Sequence, residues 1–302
     1  MKNFHDKVAV ITGGASGLGR EFATTAAGLG MKLVLADVQQ DALDKAVAEL
    51  QAEGAQVLGM ICDVRKGEQV QALADATMEK FGAVHLLFNN AGVGSGGLIW
   101  ENSVADWEWV LGVNVWGVVH GVRIFTKLML ECAKKDAAYE GHIVNTASMA
   151  GLLNAPTMGV YNVSKHAVVS LSETLYHDLQ LVDAPIGASV LCPYFVPTGI
   201  SQSHRNRPAD VAMTSGVTAS QKVAQAMTVK AVESGKVSAA DVSRLTFDAI
   251  RDGQFYIYSH PGALASVAER MNEIVHQINP GDPYKATPQV REMLREKMKA
   301  AQ

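Results

Sequence analysis

Apolar runs of strand length alternate along the chain with longer stretches whose apolar positions recur at helical spacing. KVAVIT (7–12) precedes a helical stretch from Leu18 to Leu29, and KLVLAD (32–37) one that starts at Asp41 and stops at Gly54. QVLGMICD (56–63) precedes a helix over 67–81, closed by Gly82. VHLLFNN (84–90) runs into the glycine-rich AGVGSGG and then a long helical stretch over 104–134. HIVNTAS (142–148), a helix over 157–182 and IGASVLC (186–192) continue the alternation. This order predicts an α/β fold, a doubly wound parallel sheet with helices on both faces, because parallel neighbours need crossover connections.

After Pro193 the pattern loosens. Prolines, glycines and polar residues over 194–217 predict a lid rather than a core element. Two helical segments (218–234 and 238–252) complete a lobe over 194–252, QFYIYS (254–259) supplies a further strand, and a helical tail occupies 262–302. With no break in composition before Pro193, residues 1–302 are expected to form a single domain of about seven strands.

Composition narrows the class. The chain is 48% apolar and 19% charged, with net charge −4, so no basic footprint for nucleic acid exists. Charges of both signs are interspersed, and no apolar run approaches the roughly 18 residues of a membrane span. Cys62, Cys132 and Cys192 are far apart and lack metal spacing; they predict buried free thiols in a reducing compartment. The charged residues before the first strand leave no room for a signal sequence, so a cytoplasmic protein is expected.

Directly after the first strand comes TGGASGLGR, with Gly13, Gly17 and Gly19 opening a helix. Strand, tight turn and helix N-terminus together suit a pyrophosphate, and predict a Rossmann-like dinucleotide site. The spacing is G-x-x-x-G-x-G, not the commoner G-x-G-x-x-G. Asp37 closes the second strand, where a carboxylate can accept from both adenosine ribose hydroxyls and repel a 2′-phosphate. Neither Val38 nor Gln39 offers a compensating cation, so NAD is expected over NADP.

Tyr161 and Lys165, in YNVSK, are one helical turn apart. Bringing a phenol from a pKa near 10 to the near-neutral value of an efficient acid/base takes roughly 4 kcal/mol. An ammonium about 4 Å away supplies on the order of 4 kcal/mol at an effective dielectric of about 20. Such a pair gains weight from Ser148, placed at the C-terminal end of the fifth strand, where ligands of open α/β sheets bind.

These motifs run in one order: TGGASGLG (12–19), Asp37, DV (63–64), NNAG (89–92), GVNVWG (112–117), Ser148, YNVSK (161–165) and PYFVPT (193–198). The chain thereby resembles the short-chain dehydrogenase/reductase superfamily, in its single-domain Tyr-Lys branch. The resemblance implies a catalytic tetrad. Tyr161 would be the acid/base, Lys165 would lower its pKa and hold the nicotinamide ribose, Ser148 would orient the substrate oxygen, and Asn114 would anchor a proton-relay water. It also implies cofactor contacts at Gly13, Ser16, Gly17, Leu18 and Gly19; at Asp63 and Val64 by the adenine; at Asn90, Ala91 and Gly92 beneath the cofactor; and at Pro193, Val196 and Thr198 by the nicotinamide. No metal is implied. A homodimer or homotetramer paired through 104–134 and 157–182 is.

One departure stands out: Tyr194 replaces the usual glycine after Pro193, and either enters the substrate pocket or redirects the lid. The wall expected from Gly94–Leu98, Met149, Leu152, Leu153, Met158, Tyr194, Phe195 and 200–215 is largely apolar. It predicts a bulky, apolar secondary alcohol or ketone. The lid and tail resemble those of bacterial members that oxidise aryl or alicyclic alcohols. Trp107, Trp109 and Trp116 are expected in the core or at subunit contacts. The rival readings are an epimerase or dehydratase, whose relatives carry a larger substrate domain, and an NAD-sensing module, which would be expected to have lost the tyrosine or lysine.

Overall fold

The computed structural model describes residues 1–212 and 216–299. Its first half is β1 (Val8–Thr12), α1 (Gly17–Gly28), β2 (Lys32–Asp37), α2 (Gln40–Ala52), β3 (Val57–Ile61), α3 (Gly67–Phe81) and β4 (Leu86–Asn89). α4 (Val104–Leu111), a π-helical turn (Gly112–Trp116) and α5 (Gly117–Lys135) lead to β5 (Gly141–Thr146), and α6 (Gly159–Leu181) to β6 (Ile186–Cys192). Two 3-10 segments (Gly199–Asn206 and Ala209–Val211), α7 (Ala219–Glu233) and α8 (Ala239–Asp252) precede the short β7 (Tyr256–Tyr258). The tail holds α9 (Leu264–Val275) and α10 (Pro288–Lys299).

The seven strands form one sheet in the order β3-β2-β1-β4-β5-β6-β7, parallel throughout. Each inner strand serves two cores. Ala9, Ile11, Leu33 and Leu35 pack with α1, α2 and α8 on one face, while Val8, Val10, Val34 and Ala36 pack with α3, α5 and α6 on the other. That two-sided burial is why the strands read as continuous apolar runs rather than alternating ones. The strand order reverses between β1 and β4, the switch point at whose C-terminal edge open α/β sheets bind ligands.

The helix expected over 104–134 runs continuously as α4, the π-helical turn and α5, with helical backbone angles at both junctions; the π turn widens it at Asn114. Asn114 is wholly buried there: its Oδ1 accepts from the Val93 N–H at 2.8 Å and its Nδ2 donates to the Val93 carbonyl at 3.0 Å. The wide turn therefore anchors the loop that leaves β4.

A buried polar ladder sets α6 against the sheet. Asn89 Nδ2 donates to Asn145 Oδ1 (2.8 Å), Asn145 Nδ2 to Ser172 Oγ (3.0 Å), and Ser172 Oγ to the Val168 carbonyl (2.6 Å). Truncating its centre leaves the Asn89 amide and the Ser172 acceptor unpaired in a dry interior. Asn145→Ala is expected to lose about 2–4 kcal/mol of stability, read as a lower urea midpoint at unchanged slope.

Candidate active site

The C-terminal strand ends open into a cavity of about 740 Å³. It starts at the turn between β1 and α1, where Gly13 and Gly17 have φ of +63° and +53°. A Cβ on Gly13 would lie 2.9 Å from Ala91 Cα, and one on Gly19 only 2.0 Å from the Gly13 carbonyl oxygen. Backbone angle and close packing thus both demand glycine here. Gly17 opens α1, so its first N–H groups and positive dipole end lie at the cavity wall formed by Ser16, Gly17 and Leu18.

Asp37 stands beside this turn. Its two carboxylate oxygens accept from the Ala15 and Gln39 N–H groups, each at 3.1 Å, which leaves each oxygen further acceptor capacity. Asn90 buttons the next loop to the same turn, donating to the Thr12 carbonyl at 3.0 Å and the Gly13 carbonyl at 3.3 Å. Asp63 lines the cavity too, but Arg65 grips its carboxylate, with Nη2 to Oδ2 at 2.7 Å and Nε 3.1 Å from both oxygens.

At the far end, Ser148 caps the short turn after β5. Its Oγ accepts from the Ala150 N–H at 3.1 Å and donates to the Pro193 carbonyl at 3.3 Å. Tyr161 and Lys165 project one turn apart from α6. The Lys165 ammonium, 3% exposed, donates to the Thr146 carbonyl at 2.9 Å and lies 5.6 Å from the centre of the Tyr161 ring. Burial draws Lys165 down to about 8 and pushes the Tyr161 phenol up to about 12, with the Ser148 hydroxyl pulling the phenol back. Desolvation is thus the largest influence on both groups, and the buried ammonium meets the shielding from water that the pairing requires. The ammonium is buried, which weakens its hold on its own proton, and it is turned toward a carbonyl.

The other predicted positions fall as follows. Val64, Ala91, Gly92, Pro193, Val196 and Thr198 line the cavity, whereas Gly19 and Asn114 do not. Gly19 lies beneath the turn. Asn114 lies behind Gly92: a Cβ there would be 3.5 Å from Asn114 Oδ1 and 3.6 Å from Lys165 Nζ. Asn114 also donates to Ser164 Oγ at 3.0 Å, which donates to the Tyr161 carbonyl at 2.7 Å. Its side chain thus holds the backbone that carries the phenol.

Of the expected substrate wall, Gly94–Gly96, Met149, Leu153, Met158, Tyr194 and Phe195 line the cavity, with residues of 200–208. Gly97, Leu98 and Leu152 do not, and 213–215 lie outside the described residues, as do 300–302 of the tail. Tyr194 is 45% exposed and stands at the rim, its N–H donating to Ser259 Oγ at 3.1 Å and its ring 4.5 Å from that of Phe195. Trp109 belongs to a small core cluster and also lines the cavity, which the sequence reading did not anticipate. Nor did it anticipate Arg65, or Gln225, Thr228 and Val232 of α7. Among the described residues no helix is long and apolar enough to cross a membrane, and no group of three potential ligands could hold a metal ion.

The short chain dehydrogenase family model matches residues 7–209. The chain belongs to the short-chain dehydrogenase/reductase family. It is similar to the CLA biosynthesis dehydrogenase/reductase of Lactiplantibacillus plantarum, with 35% identity over 278 residues, 91% of this chain and 95% of that protein. It is also similar to a C alpha-dehydrogenase of Sphingobium sp., at 31% identity over 97% of this chain and 94% of that one. Among solved structures, a short-chain dehydrogenase/reductase from Burkholderia phymatum in complex with NAD superposes with a TM-score of 0.91. The two share 56% identity, over 94% of this chain and 99% of the other. The dehydrogenases and reductases of this family are oxidoreductases, the Burkholderia phymatum structure holds NAD, and the glycine turn and Asp37 fit a nicotinamide dinucleotide.

The buried lysine makes a prediction about stability. Lowering its ammonium to about 8 from an unfolded value of 10.5 costs the native state about 3 kcal/mol at neutral pH. Between pH 8 and 10.5 the unfolded chain binds more protons than the native one, so this cost is relieved as pH rises. Lys165→Met, without added dinucleotide, is expected to melt above wild type at pH 7, with the gap closing toward pH 10.5 in thermal melts.

Proposed function

We propose that the protein is an NAD(H)-dependent oxidoreductase interconverting a secondary alcohol and a ketone, with a bulky, largely apolar substrate. The observation that carries this reading is the meeting of Ser148, Tyr161 and Lys165 at one end of a single cavity whose other end is the glycine turn with Asp37.

A bound nicotinamide would supply or accept the hydride. The protein's part is placement and proton movement. Ser148 Oγ would turn its one proton from the Pro193 carbonyl, a long bond at 3.3 Å, to the substrate oxygen and hold that oxygen at the Tyr161 hydroxyl. Tyr161 passes its proton to that oxygen in ketone reduction and takes it back in alcohol oxidation. In the buried site a Lys165 charge is screened little by solvent, so any further positive charge beside the phenol favours phenolate in the oxidative direction. Asn114, which lies behind Gly92 as Lys165 does, would anchor the route by which the proton returns to solvent, and it keeps Tyr161 in register through Ser164. Apolar side chains such as Met149, Leu153, Met158 and Phe195 exclude water from the reacting carbon. Exposed Trp116 and Val163, on the helices expected to pair subunits, support a homo-oligomer.

The test is absorbance at 340 nm with a panel of bulky secondary alcohols and ketones. Tyr161→Phe is expected to lose about 10²–10⁴-fold in kcat while NADH affinity stays within about threefold. A panel with no turnover by wild type, or full turnover by the phenylalanine variant, removes the proposal. NAD is expected to exceed NADP in kcat/KM by at least about tenfold, and Asp37→Ser to narrow that ratio, since the carboxylate that repels a 2′-phosphate is gone.

A further inference from the structure

Four basic side chains line the cavity: Arg65, Lys165, Arg205 and Arg207. Three of them are engaged. Arg65 is clamped between Asp63 and Asp210, at 2.7 and 3.1 Å. Arg207 pairs with buried Asp106 at 2.5 Å and lies 5.1 Å over the Trp109 ring. Lys165 donates to the Thr146 carbonyl. Arg205 has no carboxylate partner among the described residues, and its one hydrogen bond, to Gln202 Oε1, is long at 3.4 Å.

The path of the lid decides where this spare cation sits. Thr198 rests on the glycine turn, since a Cβ on Gly17 would lie 3.3 Å from Thr198 Cβ. Gly199 comes next, and a Cβ there would be 3.0 Å from Arg205 Nη2, so the guanidinium is folded back beside that contact. Asn206 accepts from the Gln39 side chain, two residues past Asp37, and Asp210 reaches across to Arg65 after β3. The lid thus crosses the trough over the glycine turn and is tied to the walls that follow β2 and β3.

The glycine turn itself carries no cation that could answer a diphosphate. Arg20, the one basic residue of α1, is turned away to Glu49 at 3.1 Å and to Thr24 at 2.8 Å. Backbone N–H groups and the helix dipole alone would face a dianion, a ligand for which a planar guanidinium provides the strongest paired donors.

We infer that Arg205 is the lid's cation for the diphosphate of the bound dinucleotide, so that the dinucleotide is held between the glycine turn and the lid. The inference rests on the dinucleotide reading above. A 2′-phosphate is the poorer match, because it would lie against the Asp37 carboxylate.

The test is NADH fluorescence titration, with ADP-ribose and adenosine as competitors, on wild type, Arg205→Gln and Arg205→Lys. In the glutamine variant NADH and ADP-ribose are expected to bind about tenfold more weakly, about 1.4 kcal/mol. Adenosine affinity should stay within about twofold, and the lysine variant should recover most of the loss. The salt dependence of NADH binding should also flatten in the glutamine variant. NADH affinity within about twofold of wild type overturns the inference, as does an equal loss for adenosine, which would mean a displaced lid. A raised KM confined to carboxylate-bearing substrates, with NADH affinity unchanged, would reassign Arg205 to the substrate. Failure of wild type to bind NADH at all would sink the dinucleotide reading and this inference with it.

Discussion

A buried ammonium with a single hydrogen-bond acceptor is the constraint around which this molecule is arranged. Lys165 is almost wholly removed from water, and the one bond recorded for it goes to the Thr146 carbonyl. Left to itself, an interior of this kind neutralises such a group, and the direction of both Lys165 and Tyr161 is toward their uncharged forms. A site that keeps these groups must hold them rigidly, since the surrounding polar atoms act only at fixed distance. The Asn89–Asn145–Ser172 ladder and the Asn114–Ser164 contact do that from two sides of α6. The Asn114 amide is bonded at both its oxygen and its nitrogen, whereas in the ladder the Asn89 oxygen is buried without a partner, so the ladder fixes α6 while leaving one acceptor unpaired.

The two apolar cores supply the stability that lets such a site persist. Strands buried on both faces leave little freedom in sheet register, because every residue of an inner strand packs against one helix layer or the other. The C-terminal strand edge is consequently a fixed platform, and Thr146, Ser148 and Pro193 leave it at defined heights. The hydrogen bond from Ser148 to the Pro193 carbonyl joins the loops after β5 and β6 directly. A serine placed in this way is oriented by the sheet rather than by the lid.

What could be read from the sequence followed from interactions that are local or periodic. The strands, α3 over 67–81 and the glycine turn all declare themselves within a dozen residues, and the family match of 7–209 agrees with the motif order. The helix over 104–134 was legible, but its π turn was not, because the surrounding VLGVNVWGVV (110–119) is apolar at most positions and a shift of face leaves no trace in it. Spacing puts Tyr161 and Lys165 one turn apart, but how far burial shifts each of them depends on the surrounding packing, which spacing does not encode. Arg65 follows the expected Asp63 and Val64 directly, but spacing does not say that its guanidinium folds back on Asp63 and reaches Asp210, 145 positions away, across the cavity. The tail shows the converse limit: α9 has a helical apolar pattern, yet it buries none of its residues fully, so periodicity announced the helix without saying what covers it.

Charge along the cavity follows a consistent order. Carboxylates of Asp37 and Asp63 mark the ends of β2 and β3, the N-terminus of α1 follows the glycine turn, Arg205 lies beside Gly199 of the lid, and Lys165 closes the far end. Asp63 is already neutralised by Arg65, whereas Asp37 is bonded only to backbone N–H groups. The free acceptor capacity therefore lies at Asp37 and the free donors at the turn, the lid and the lysine. On the proposed reading this sequence matches hydroxyl, diphosphate and hydroxyl groups of a dinucleotide taken in order. A reversed ligand would set its diphosphate no differently but would present its uncharged adenine to Lys165 and its reactive ring to the Asp37 wall. Orientation, on this argument, is decided less by any one contact than by which end of the trough still has hydrogen bonds to give and which has them to receive.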